Sequence, residues 1–144
     1  METLAALGGV ANIVVAIIAC VALFLAWRQI GVSRELSALQ AYETYHSMCL
    51  QYSEYSSGNV DFASFDAAKL QQYQVYVLYT LMMDERIFAL FPKDAGWIFS
   101  IKDDIEMHWE YIASSHFADH LANQQWNILP LIREVLTEKA AANS

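Results

Sequence analysis

Glu43 and His46 stand three apart in Glu43-Thr44-Tyr45-His46, a spacing that puts a carboxylate and an imidazole on one face of a helix. Ferritin-like di-iron proteins hold their metals between two such Glu-x-x-His pairs and two further glutamates, all on four helices. The available partners here are Glu85, Asp104, Glu106 and His108, and a second Glu-x-x-His does not occur. Asp104 and His108 are four apart, workable for one metal ion but off that pattern. The plainer reading has Glu43 and His46 bonding tyrosines or Arg86 at the edge of a core. His116 and His120 are also four apart, a geometry that can grip zinc or haem. They lack the glutamate after the first histidine that a zinc protease would show, so an ordinary surface helix is expected there. Ser114 and Ser115 beside His116 read as helix caps rather than as a nucleophile with its base. Cys-x-x-Cys, a glycine-rich phosphate loop and a nucleophile elbow are all missing. The expectation is therefore a non-enzymatic protein without a cofactor. The alternative is a small metal-dependent, di-iron-like redox protein using Glu43, His46, Glu85, Asp104 and His108.

The elements that must carry these residues begin with an unusual stretch. Residues 4–27, LAALGGVANIVVAIIACVALFLAW, hold no charge, and Asn12 and Cys20 are their only polar side chains. As a helix they would cover roughly 36 Å, enough for a hydrocarbon core of about 30 Å with some tilt. In lipid only a helix or a closed barrel satisfies its own backbone, so the stretch reads as a transmembrane helix. A cleaved signal peptide would want a basic start and a shorter apolar core, and Met1-Glu2-Thr3 supplies no base. Ile17-Ile18-Ala19-Cys20 resembles a lipobox, but the apolar run continues past the cysteine. Gly8, Asn12, Ala16 and Cys20 recur every four residues, with Ala5, Gly9 and Ala19 beside them. Small side chains let helix backbones approach, and an asparagine amide in lipid gains from a partner, so this face is expected to contact another transmembrane helix.

Charge sets the rest of the frame. After the span the chain carries fifteen acids against eight bases, within a formal net charge of −8. Such a body repels phosphate backbones, so nucleic acid is not an expected partner. Arg28 and Arg34 directly follow the span, and the N-terminal flank offers only Glu2. The positive-inside rule then places the N-terminus outside and the C-terminal part in the cytoplasm, across an inner (cytoplasmic) membrane. Cys20 and Cys49 would lie roughly 43 Å apart on one helix and cannot pair within the chain. That suits a reducing compartment.

Beyond the span, residues 28–55 contain no proline and a single glycine, Gly31. The helix is expected to continue, with a gentle bend near Gly31 and Ser33 as the N-cap of any restart. Val32, Leu36, Leu39, Glu43, His46 and Leu50 form one stripe; Ala38, Tyr42, Tyr45, Cys49 and Tyr52 form a second. Both are expected to be packed by the domain, with Gly58 as a left-handed cap near the end. A second helix is predicted from residues 61–66 to about 90, with Leu70, Tyr73, Val77, Leu81, Glu85 and Phe88 inward. Pro92 breaks it and Asp94 caps the next, over about residues 95–113, which turns Ile98, Ile101, Ile105, Trp109 and Ile112 inward. A short segment through about residue 121 and a last helix over about 130–140 follow, the latter opening on Pro130 and presenting Leu131. The expected core joins Leu70, Tyr73, Val77, Leu81, Ile98, Ile101, Ile105, Trp109 and Leu131.

The order of span, long helix, Tyr76, Glu85-Arg86-Ile87-Phe88, Trp97, His108, Tyr111, Ser114, Phe117 and Trp126 resembles a widespread, uncharacterised group of bacterial one-span proteins with a helical cytoplasmic tail. The resemblance implies an all-α architecture and supplies no activity. The expected protein is all-α: an N-terminal transmembrane anchor, residues 1–30, continuing into a small cytoplasmic helical bundle, residues 31–144. The expected function is a membrane-anchored interaction protein, an accessory subunit or assembly factor of a membrane complex. Its partners would be the lipid bilayer, another transmembrane helix (self or a partner subunit) and a cytoplasmic protein.

Overall fold

A proline-free, largely apolar start gives one long helix. The computed structural model describes the backbone of residues 2–58, 60–122 and 125–142, with side chains from residue 12 onward except at 119 and 122. Helix α1 runs Glu2–Gln51. Gly31 lies inside it, and the helix runs on without a fresh start at Ser33. The remaining helices are α2 (Ala67–Leu90), α3 (Ala95–Met107), α4 (Trp109–Ile112), α5 (Ser115–Ala122) and α6 (Leu129–Ala142), with a one-turn 3₁₀ helix at Phe62–Ser64 before α2. The described residues form no strand. The chain divides into two compact units, Met1–Ser37 and Ala38–Ser144.

In the first unit every described residue from Asn12 to Leu36 is exposed. Asn12–Gln51 is the one described helix that is long and apolar enough to cross a membrane.

The second unit is a helical body whose joints are set by short polar side chains. The Asp66 carboxylate accepts from Lys69 N at 2.8 Å and opens α2. The Asp94 carboxylate accepts from Gly96 N and Trp97 N, both at 3.0 Å, and opens α3 after the Pro92 break. These two caps satisfy backbone donors that a helix start leaves unpaired. Helix α1 closes through a turn in which Tyr52 N donates to Met48 O at 2.9 Å. Gly58 then takes φ 73°, the left-handed conformation expected of it, and a Cβ there would stand 3.2 Å from Met107 Cβ. Helix α3 packs between α2 and α6, and α4 against α5 and α6. Tyr55, Tyr73, Tyr76, Val77, Leu81, Ile101, Ile105, Tyr111, Ile112, Phe117, Ile128 and Ile132 are buried together.

Four expectations change here. The helix predicted over residues 95–113 is broken at His108, which sits at φ −117°, ψ 15° and donates its N–H back to Ile105 O at 3.2 Å. The short i→i−3 bond turns the chain, so His108, Tyr111 and Ile112 point inward while Trp109 is only half-buried. Ile98 is likewise half-buried. On α2 the inward row is Tyr73, Tyr76, Val77, Thr80, Asp84 and Ile87, and Glu85 lies one position off it. On α1 the two stripes part company. Of the second stripe Ala38 is buried, Tyr42, Tyr45 and Cys49 are half-buried and Tyr52 is exposed, with Ala41 buried and Met48 half-buried beside them, whereas Val32, Leu36, Leu39, Glu43, His46 and Leu50 are all exposed. Helices α2 and α3 both meet α1 on that side, at Tyr76 and at Asp104, and leave the other stripe to solvent.

Candidate functional site

Three helices bring polar side chains to the middle of the body. Helix α1 supplies Tyr45 and, one turn later, Cys49; α2 supplies Tyr73, Tyr76 and Asp84; α3 supplies Asp104 and, at its end, His108. The Tyr45 hydroxyl donates to Asp104 Oδ1 at 2.6 Å. Cys49 Sγ and the Tyr76 hydroxyl meet at 3.3 Å. The Tyr73 hydroxyl is 2.9 Å from His108 Nδ1, and the Tyr76 ring stands edge-on to the imidazole at 5.6 Å. Asp84 is 4% exposed, and its Oδ2 has no hydrogen-bond partner among the described residues.

The electrostatics follow mainly from burial. Burial, reinforced by the nearby Asp104 carboxylate, holds the Asp84 carboxyl well above the usual carboxylate range. Burial pushes Asp104 up to about 6, against the opposing pull of the Tyr45 hydrogen bond. Burial also pushes His108 down to about 4, so the imidazole is neutral at pH 7. The Tyr45 and Tyr76 hydroxyls are raised by burial and stay protonated. Two acids that cannot both ionise cheaply, a neutral imidazole and protonated phenols make a polar core, in which the Tyr45–Asp104, Cys49–Tyr76 and Tyr73–His108 contacts tie α1, α2 and the end of α3 together.

The candidate metal residues do not converge. Glu43 is exposed on α1, beside a shallow cleft shared with Gln40, Thr44, Tyr79 and Arg86. His46 is exposed and edge-on to Tyr42 at 4.9 Å. Glu85 accepts from Asn127 Nδ2 at 2.6 Å and Ile128 N at 3.0 Å, which fixes the approach to α6. Asp104 is held by Tyr45, and His108 by Tyr73. Among the described residues no group of three His, Cys, Asp or Glu is placed to hold a metal ion. His116 is exposed, and His120 instead meets Gln74 Nε2 through its own Nε2. Ser114 Oγ donates to Tyr111 O at 2.6 Å, and its carbonyl accepts from Phe117 N, at the turn into α5.

On the first unit Asn12, Ala16 and Cys20 share one exposed face of α1, and Gly8 lies outside the residues whose side chains are described. Both cysteines are free. A second uncovered face belongs to α2, where Val75, Tyr79 and Met82 are exposed at spacings of four and three. Val75 and Tyr79 border a groove of about 390 Å³ together with Met48, Tyr52, Ala68, Gln71, Gln72 and Tyr76, and Met82 continues the exposed row beyond its lining.

The residues missed from sequence are Tyr45, Cys49, Tyr76 and Asp84. The available signal was Asp84 itself, an acid three and seven places after Leu81 and Val77 on the apolar row of α2. Compared with known proteins, the chain matches no family model, no curated protein and no solved structure.

Proposed function

We propose that this protein is a single-span, membrane-anchored interaction protein, an accessory subunit or assembly factor of a larger membrane complex. The observation that carries the reading is the uncharged run of α1, uncovered at every described residue from Asn12 to Trp27. Apolar surface of that extent needs a nonaqueous neighbour, and a bilayer supplies it. Arg28 and Arg34 favour a cytoplasmic body and an outside N-terminus in an inner membrane. The face holding Asn12, Ala16 and Cys20 packs against another transmembrane helix, its own copy or a partner subunit's.

The body docks its partner on the α2 row Val75, Tyr79 and Met82. The partner surface is an amphipathic helix with basic flanks, because the part of the chain after the span carries fifteen acids against eight bases. A second copy of this acidic body would be repelled. The family resembled, one-span proteins with a helical cytoplasmic tail, fits the same arrangement.

The test uses the full chain in neutral-lipid nanodiscs and a fluorescent amphipathic Leu/Lys helix as probe, with a Leu/Glu helix of equal length as control. The basic helix should bind and the acidic one should not. The uncharged change Val75→Ser with Met82→Ser should weaken binding by about tenfold or more, since two apolar contacts are lost at constant charge. Unchanged binding would reduce the contact to bulk charge attraction and remove this face from the proposal. Retention of the chain in membranes through an alkaline wash checks the anchor separately.

A further inference from the structure

At the break at His108 lies a cavity of about 570 Å³ that shares no lining residue with the groove on α2. Small-ligand sites are commonly of this size. The 3₁₀ turn, the end of α3, α4 and α6 all contribute walls. Its aromatic lining includes Phe62, Tyr73 and Tyr111, with Phe62 and Tyr111 edge-to-face at 5.2 Å and Tyr73 and Tyr111 tilted at 4.9 Å. His108 lies among them, bonded to the Tyr73 hydroxyl. Tyr111 is 1% exposed, and its hydroxyl has no hydrogen-bond partner among the described residues. A buried hydroxyl left without a partner is costly, so a cavity beside one is a place where a ligand group repays that cost.

The rim states which ligand. Asp61, Asp103, Glu106 and Glu110 line the opening with one base, Lys139, and Lys139 pairs with Glu106. Asp61, Asp103 and Glu110 are exposed and make no ion pair among the described residues. The walls therefore carry an excess of negative charge, and the neutral His108 adds nothing to offset it. The acids stand around the opening and do not gather as ligands to a metal ion. A diffuse positive charge on an organic body suits such a site: carboxylates attract it from the rim and aromatic rings accept its apolar part.

We propose that this cavity binds a small organic cation, an ammonium group on an apolar or aromatic body, with the ammonium held by Glu110 and Asp103 at the rim and within reach of the Tyr111 hydroxyl. The site is independent of the docking row on α2.

Calorimetric titration of the full chain in a non-ionic detergent tests it, with phenethylammonium as the probe. Neutral 2-phenylethanol and anionic phenylacetate are the matched controls. The cation should bind and the two controls should not. Glu110→Gln and Asp103→Asn should each weaken the cation about two- to fivefold, as expected of a solvent-facing charge contact. Glu35→Gln, on α1 and not among the residues that line the cavity, should leave the affinity unchanged. Tyr111→Phe keeps the ring and removes the hydroxyl; it should weaken binding about two- to tenfold while the melting temperature holds or rises. Equal binding of all three probes, or of none, would overturn the proposal. So would equal weakening by Glu110→Gln and Glu35→Gln, which would mean that the net charge of the chain attracts the probe.

Discussion

Two regions of this chain hold apolar side chains in opposite ways. Between Asn12 and Trp27 the described residues of α1 are apolar almost all round, and none is covered by protein. In the body, the apolar rows of α2, α3 and α6 face one another, and polar atoms that enter their core are mostly tied in pairs. The difference lies in the solvent each region is matched to. A helix without a polar face has no preferred side in water, so only a nonaqueous surrounding satisfies it. A helix with one apolar row demands a neighbour of its own kind.

The sharpest way to break this comparison is to truncate the same side chain in each region. Phe117 is fully buried in the body. Phe117→Ala should cost about 3–5 kcal/mol, enough to unfold a small domain at moderate temperature. Phe24 is exposed, and Phe24→Ala should change body stability by less than about 0.5 kcal/mol. Denaturant melts in micelles, followed by near-ultraviolet circular dichroism, read both. Equal effects would mean that the exposed run of α1 is packed by protein.

A charge reverses the order of sensitivity. Ile17→Arg puts a guanidinium near the middle of the uncharged run and should cost about 2.5–3.5 kcal/mol of insertion. The chain should then be lost from the alkaline-washed membrane fraction. Phe99→Arg, at a body position 75% exposed, should leave the fraction unchanged. Release of the Phe99 variant alone would place the membrane contact on the body.

How much of this was legible in the sequence depended on whether a residue answers to its neighbours in the chain or to those across the fold. The helical class, the run of α1 through Gly31, the Asp94 cap and the positive φ of Gly58 are local matters, decided by proline, glycine and short acids. The break at His108 is not local. Residues 95–113 hold no proline, and the histidine leaves the helix while its ring engages Tyr73, 35 positions earlier. Glu85 and Asp84 differ by one step on a 3.6-residue period, and a 4–3 count cannot separate them; the packing of α3 does. Two adjoining stripes on α1 both read as packed by their spacing, and only the placement of α2 and α3 decides which is covered. Much of the polar core was hidden for the same reason: Asp104 and His108 stood out as candidate ligands, but Tyr45, Cys49 and Tyr76 each look ordinary on their own helix.

The body also differs from the N-terminal run of α1 in carrying titratable groups inside, which makes its stability depend on pH. Asp84 and Asp104 both have carboxyls raised in the folded state by burial. Their contribution is therefore fully present below the unfolded carboxylate range, near pH 4, and is lost as pH rises through the folded value, about 6 for Asp104. The two titrate as a pair, so the loss is spread over a wide interval. The double change Asp84→Asn with Asp104→Asn keeps acceptors for Tyr45 and removes both protons. The parent should lose about 1–3 kcal/mol relative to this variant between pH 4.5 and 7.5. Parallel pH profiles in urea melts would show that the pair does not titrate in this interval.

The smallest expected effect concerns the anchor, where the comparison predicts weak but directional contacts. Lipid tails are as apolar as leucine, so a span gains nothing by hiding Ile13, Ile17 or Val21 from them. Association needs close backbone approach or a polar pair, and the face with Asn12 and Ala16 offers both, continued toward the N-terminus by Gly8 in the sequence. Asn12→Leu removes the amide and adds bulk; Gly8→Ile blocks approach. Each should weaken association of the span by roughly 0.6–2 kcal/mol, the range of interhelical hydrogen bonds in membranes. The change should appear as a lower transfer efficiency between labelled spans in vesicles. Ile17→Leu, on a different face at similar volume, should leave it unchanged. If Asn12→Leu and Ile17→Leu behave alike, the span is an anchor alone, and the row on α2 has to carry all of the recognition.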